Sequence, residues 1–125
     1  MKKFKRRKIC IVSSTRADFG ILSGIIKSLQ NEKNFDTKLI LTGSHLEKKY
    51  GSTIQEAIKQ KIKIFKKIKI LSKKNDSLSL LKNSGKIINR FSSQLKRMSP
   101  ELIIVLGDRY EIFCIAYCAF ILDIP

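Results

Sequence analysis

Gly107, Asp108 and Arg109 follow directly on the apolar run Leu102-Ile103-Ile104-Val105-Leu106, so a carboxylate and a guanidinium stand where a buried strand leaves its sheet. A second exit of this kind follows Ile9-Cys10-Ile11-Val12, in the loop Ser13-Ser14-Thr15-Arg16-Ala17-Asp18-Phe19-Gly20. Open parallel sheets bind ligands just past the carboxyl ends of their strands. Loops of this composition are suited to holding an anion, through arginine and the N–H groups that open a helix, with a carboxylate alongside for proton transfer. Nearby cations would keep Asp108 ionised and burial would oppose them; the sequence leaves both open. His45, the chain's single histidine, lies two residues past Gly43 at a third exit, where it either meets a ligand or simply completes a turn.

Other site types are disfavoured. Neither Gly-x-Gly-x-x-Gly nor Gly-x-x-x-x-Gly-Lys-Ser/Thr occurs, which argues against a common dinucleotide fold and against a P-loop. One histidine and no Cys-x-x-Cys pair argue against a metal centre. Cys10 falls in an apolar strand, and Cys114 and Cys118 share one face of an apolar helix, so the thiols read as small hydrophobes in a reducing cytoplasm.

Alternating elements must position these loops. Lys8 to Ser13 reads as a strand covered on both faces, followed by a helix with Phe19, Leu22, Ile25, Ile26 and Leu29 along one side, ending near Asn31 to Asn34. Thr37 to Thr42 is the second strand, and residues 46 to 60 form a helical or turn region that Gly51 interrupts. From Lys61 to Leu71, Ile62, Ile64, Ile68 and Ile70 keep one phase and Lys66 breaks it, as in an edge strand or two short pieces. Asp76 or Ser77 caps a helix with Leu78, Leu81, Ile88, Phe91, Leu95 and Met98 on its apolar side, and Pro100 marks its end. A fourth strand and an apolar helix from Glu111 to Leu122 complete the series, and the pattern stops at Pro125 with no strand after it. Strands alternating with helices predict one α/β domain with a Rossmann-like parallel sheet and helices on both faces. With strand order 3-2-1-4, strands one and four are neighbours, and Arg16 and Asp108 share one rim.

The 125 residues carry 26 Lys and Arg against 10 Asp and Glu, a formal net charge of +16. Such charge would suit nucleic acid or an anionic membrane, but the lysines are dispersed among isoleucines and along polar helix faces, the pattern of a solvated surface. A basic module acting through Lys59 to Lys74 is the alternative reading, and Phe65 is the only stacking aromatic in that run. The basic amino terminus, Met1 to Lys8, precedes too short an apolar run for an export signal, and Ile112 to Leu122 falls well short of the roughly 20 residues that span a bilayer.

Three segments carry a resemblance: Thr15-Arg16-Ala17-Asp18-Phe19-Gly20, then Thr42-Gly43-Ser44-His45-Leu46 with Tyr50-Gly51-Ser52-Thr53, and Val105-Leu106-Gly107-Asp108-Arg109-Tyr110-Glu111. In this order, each at a strand exit, they resemble the hydrolysing UDP-N-acetylglucosamine 2-epimerases of sialic and legionaminic acid synthesis. The resemblance implies the incomplete amino-terminal domain of a glycosyltransferase-B-type two-domain enzyme that acts on UDP-N-acetylglucosamine or a UDP-2,4-diacetamido sugar. It implies no metal or nicotinamide cofactor, a homo-oligomer at full length, and no specific nucleic-acid or membrane partner. By the same match Arg16 would contact the diphosphate, with Ala17 and Gly20 shaping the loop around it. Asp108 would be an acid/base carboxylate at the sugar, Arg109 would meet the nucleotide portion, and His45 would lie near the sugar. Ile21 offers no polar group, so phosphate binding there would rely on backbone N–H donors. In the family a glycine-glycine-glutamate segment, further carboxylates, a histidine and most of the UDP pocket follow beyond the point matching Pro125, so the segment alone is expected to be inactive.

Overall fold

The computed structural model describes residues 5–46, 53–70 and 74–125. Four parallel strands, β1 (Arg7–Ser13), β2 (Phe35–Thr42), β3 (Ile64–Ile68) and β4 (Leu102–Val105), lie in the order β3-β2-β1-β4. Helices α1 (Arg16–Asn31), α2 (Thr53–Lys59), α3 (Ser77–Met98) and α4 (Tyr110–Ile121) alternate with them. β1 pairs with β2 from Arg7↔Phe35 to Ser13↔Leu41 and with β4 from Ile9↔Leu102 to Val12↔Val105. The expected strand order therefore holds, and the exits of β1 and β4 are adjacent. On the outer side of β4 the Ile103 N–H donates to the Pro125 carbonyl at 2.9 Å.

The alternating side chains of the central strands divide the core in two. Ile9 and Ile11 of β1 and Leu39 and Leu41 of β2 pack with Phe19, Leu22 and Ile26 of α1. Cys10, Val12 and Ile40 point the other way, into Ile87, Phe91 and Leu95 of α3 and Ile112 and Ile115 of α4. Helices cover both faces, so both phases are apolar in Ile9 to Val12 of β1 and Leu39 to Leu41 of β2.

Three details differ from the periodicity. Ile25 of α1 is exposed, and only Phe19, Leu22 and Ile26 of its stripe are fully buried. In α3 the buried apolar positions are Ile87, Phe91 and Leu95; Ile88 and Met98 are partly covered, and Leu78 and Leu81 face solvent. A helix of 22 residues runs about 33 Å at 1.5 Å per residue, longer than the short strands it crosses, so its amino-terminal turns extend past the sheet. The third detail is a register shift where Leu39 pairs Ile64 but Ile40 pairs Lys66. That inserted residue reverses the phase: Ile62 and Ile64 pack on the α1 side, whereas Ile68 and Ile70 pack against the α3 and α4 side. The isoleucines that share one phase in sequence thus serve opposite faces. Gly51 and Leu71 lie outside the described residues.

Local signals set the helix ends. Thr15 caps α1 by accepting the Asp18 N–H at 3.1 Å, and Asp76 caps α3 by accepting that of Ser79 at 3.0 Å. Ser99, in the left-handed region at φ 46°, closes α3 just before Pro100. All three cysteines are free and buried; burial pushes the Cys10 thiol up to about 12 despite Lys38 nearby, and burial followed by proximity to Cys114 raises that of Cys118. The Cys10 and Cys118 thiols thus stay protonated and unreactive at neutral pH.

One side of α4 is apolar and uncovered, with Phe113 at 73% and Phe120 at 75% exposure. A contiguous patch of this kind drives association. Light scattering is expected to detect species heavier than the 14.3 kDa monomer at high protein concentration, and Phe113→Ser combined with Phe120→Ser should shift them toward monomer. A monodisperse monomer at all concentrations would contradict this. Among the described residues no helix is long and apolar enough to cross a membrane.

Candidate active site

The exits of β1, β2 and β4 meet at one edge of the sheet. A Cβ placed on Gly107 would lie 3.3 Å from Oδ2 of Asp18, so the loop carrying Asp108 and Arg109 touches the one that begins with Arg16. At the neighbouring junction the Ser14 carbonyl accepts from the Ser44 N–H at 3.0 Å and from the Ser44 hydroxyl at 3.1 Å. Gly43 turns between them at φ 62°, and a Cβ there would fall 2.8 Å from the Ser14 carbonyl oxygen. Only glycine accommodates both the left-handed backbone and that approach.

Arg16, Ala17 and Gly20 are exposed along the first loop and first turn of α1, and Asp108 and Arg109 are exposed across from them. Arg16 also borders a cavity of about 470 Å³ with Gln55, Glu56, Ile58 and Lys59 of α2. Neither Arg16 nor Asp108 has an ion-pair partner among the described residues. Arg109 occupies the N-cap of α4, and no side chain caps that helix. Its first N–H groups remain available beside a carboxylate and two guanidinium groups, a set able to hold a diphosphate and move a proton.

His45 is buried at the exit of β2. It is 4% exposed, its Nε2 lies 2.8 Å from the Ser13 hydroxyl, and its ring meets that of Phe19 edge-on with centroids 6.1 Å apart. Burial lowers its pKa from 6.5 to about 4, against the smaller raising influence of Asp18. It is therefore a neutral histidine under the floor of the site, and its Nδ1 finds no partner among the described residues. As pH falls from about 6.5 toward about 4 the unfolded chain takes up a proton that the folded chain refuses, so the stability tied to this ring is complete above that window and is lost within it. An NMR titration should place the His45 midpoint near 4; a midpoint at the ordinary value would contradict the buried assignment.

Glu111 belongs to the site although its position in the motif alone did not mark it. It is 3% exposed, accepts from Arg109 Nε at 2.7 Å, and faces Gly43, whose added Cβ would lie 3.5 Å from its Oε1. A lone acid opening an otherwise apolar helix, two residues after an arginine, was the available signal. Tyr50, Gly51 and Ser52 of the second motif lie outside the described residues. No group of three or more His, Cys, Asp or Glu able to hold a metal occurs among the described residues. Phe65 lies under the Lys38 ammonium, 4.7 Å from the ring centroid, which already occupies one of its faces.

A family model described as UDP-N-acetylglucosamine 2-epimerase matches residues 27–125. A Campylobacter jejuni protein named GDP/UDP-N,N'-diacetylbacillosamine 2-epimerase (hydrolyzing) is 38% identical over 96% of this chain and 31% of its own length. A Legionella pneumophila UDP-N,N'-diacetylbacillosamine 2-epimerase (hydrolyzing) is 31% identical over 95% of the chain and 32% of its own. The chain thus spans about a third of the length of these curated relatives. Among solved structures, a putative UDP-N-acetylglucosamine 2-epimerase from Listeria monocytogenes superposes with a TM-score of 0.81 at 18% identity, over 95% of this chain and 30% of that one. The fold is shared at that level.

Proposed function

The chain belongs to the UDP-N-acetylglucosamine 2-epimerase family, and on that premise we propose that it forms the amino-terminal portion of a hydrolysing nucleotide-sugar 2-epimerase. The substrate assigned is a UDP-linked 2,4-diacetamido sugar before UDP-N-acetylglucosamine. Two relatives named for diacetylbacillosamine, at 38% and 31% identity, support that order over the 28% identical UDP-N-acetylglucosamine 2-epimerase of Neisseria meningitidis. The reaction breaks the C1–O bond to UDP and the C2–H bond, leaving a C1=C2 double bond. Water then supplies hydroxide to C1 and a proton to the opposite face of C2, giving the free 2-epimer and UDP.

In this reading Arg16 and Arg109, with the open N–H groups of α1 and α4, take up the charge that collects on departing UDP. Ala17 and Gly20 keep the first loop small enough for a diphosphate to approach. Asp108 exchanges a proton at the sugar together with carboxylates from outside this segment, and His45 supports the floor through Ser13. Buried, free thiols fit a reducing cytoplasm, and the uncovered side of α4 favours a homo-oligomer. The observation that carries the proposal is the pairing of β1 with β4, which sets the two arginine-bearing exits side by side with the Asp18 carboxylate close to Gly107.

A chimera tests it: residues 1–125 replace the matching segment of the Campylobacter jejuni relative, and release of UDP with free 2-epimer is followed from UDP-N,N'-diacetylbacillosamine. Turnover is expected from the chimera and none from residues 1–125 alone. A folded chimera that releases no UDP from either candidate sugar would sink the proposal.

A further inference from the structure

We propose that Glu111 is a positioning residue: its buried carboxylate fixes the direction of the Arg109 guanidinium, so that Arg109 presents its two terminal NH2 groups to the ligand. The inference rests on the nucleotide-sugar reading and adds to it a residue that never touches the substrate.

A guanidinium can grip an anion along its Nε edge or across its two terminal nitrogens. In this chain the edge is taken, because Nε donates to Glu111 Oε1 at 2.7 Å. The end pair is left, on a side chain that is 56% exposed while that of Glu111 is 4% exposed. The anchor is rigid for two reasons. Glu111 lies in the first turn of α4, where the helix dipole favours a carboxylate, and the exit of β2 closes over it at Gly43.

Space filling alone is a poor account of Glu111. Its Oε2 has no partner among the described residues, and a buried carboxylate with an unmet oxygen is costly compared with an apolar residue of similar volume. The cost is understandable if the charge is needed to hold Arg109. Arg109 opens α4 with no cap of its own, so without Glu111 its long side chain would sample many rotamers, and ordering it on binding would weaken affinity.

The test reads the Arg109 resonance on the 125-residue chain and the affinity for UDP, the probe, on the chimera. In ligand-free NMR spectra the Arg109 Nε–H resonance is expected to be shifted and slow to exchange with water, to lose both features in Glu111→Ala, and to keep them in part in Glu111→Gln. UDP affinity should fall about tenfold in Glu111→Ala, less in Glu111→Gln, and the Arg109→Ala/Glu111→Ala double variant should bind no more weakly than Arg109→Ala. Multiplying losses in the double variant, unchanged affinity in Glu111→Ala, or an Nε–H resonance indifferent to Glu111 would each overturn the proposal. If Glu111→Ala does not fold, the isosteric Glu111→Gln carries the same comparison. Absence of UDP binding in every chimera, the unsubstituted one included, would remove the nucleotide-sugar reading, while the Nε–H resonance would still decide whether Glu111 orients Arg109.

Discussion

Asp108→Asn in the active chimera is expected to lower kcat about a thousandfold with little change in KM, the scale set by losing one acid/base group. The substitution keeps size and polarity, and the Asp108 side chain is exposed with no ion pair among the described residues, so the fold has nothing to lose. A matched fall in kcat and kcat/KM would locate the loss in the transition state. Arg16→Ala should behave differently: it removes charge from the diphosphate subsite, raising KM as well as lowering kcat. If Asp108→Asn retained more than a tenth of wild-type kcat, the proton role would pass to another carboxylate. Asp18, whose side chain abuts Gly107, would be the first to test.

The second large effect concerns architecture. Gly43→Ala is expected to destabilise the chain by about 2 to 5 kcal/mol, from an αL conformation costing roughly 1 to 2 kcal/mol and overpacking of about 1 to 3 kcal/mol. The crowding partner is the Ser14 carbonyl oxygen, 2.8 Å from the new Cβ, and that carbonyl is held by both donors of Ser44. Backbone fixed in this way cannot swing aside as a side-chain tip would. Relief has to come from separating the β1 and β2 exits, which also loosens His45 from Ser13. Gly20→Ala is the control, because a Cβ on Gly20 meets nothing within 4 Å; in an exposed helix it should be neutral or slightly stabilising. Denaturant unfolding compares the two, and equal stability of Gly43→Ala and wild type would refute the close-approach argument.

Much of this arrangement is legible in the residues, and the exceptions have physical causes. Runs that are apolar at every position, such as Ile9 to Val12 and Leu102 to Leu106, mark strands covered on both faces. With helices between them, they lead to the observed order and bring Arg16 and Asp108 to one edge. Periodicity does not reveal how far a helix outruns its sheet, which is why Leu78 and Leu81 keep the α3 period yet face solvent. Nor does it reveal an inserted residue: Ile64 and Ile68 share a phase, and the register shift before Lys66 sends them to opposite faces. In the site, exposure was the missing quantity. The sequence leaves open whether His45, two residues past Gly43, meets a ligand or completes a turn; in the fold Gly43 packs on Ser14 and the imidazole is buried, which keeps it neutral.

Chemical-shift mapping of UDP on the chimera, read at residues 1–125, bears most directly on the claim that the β1 and β4 exits form one nucleotide-binding edge. The expected result is a single cluster of perturbed resonances at Arg16, Ala17, Gly107, Asp108 and Arg109, weakened by Arg16→Ala. Perturbations confined to the basic edge between Lys59 and Lys74, vanishing with modest salt, would contradict it.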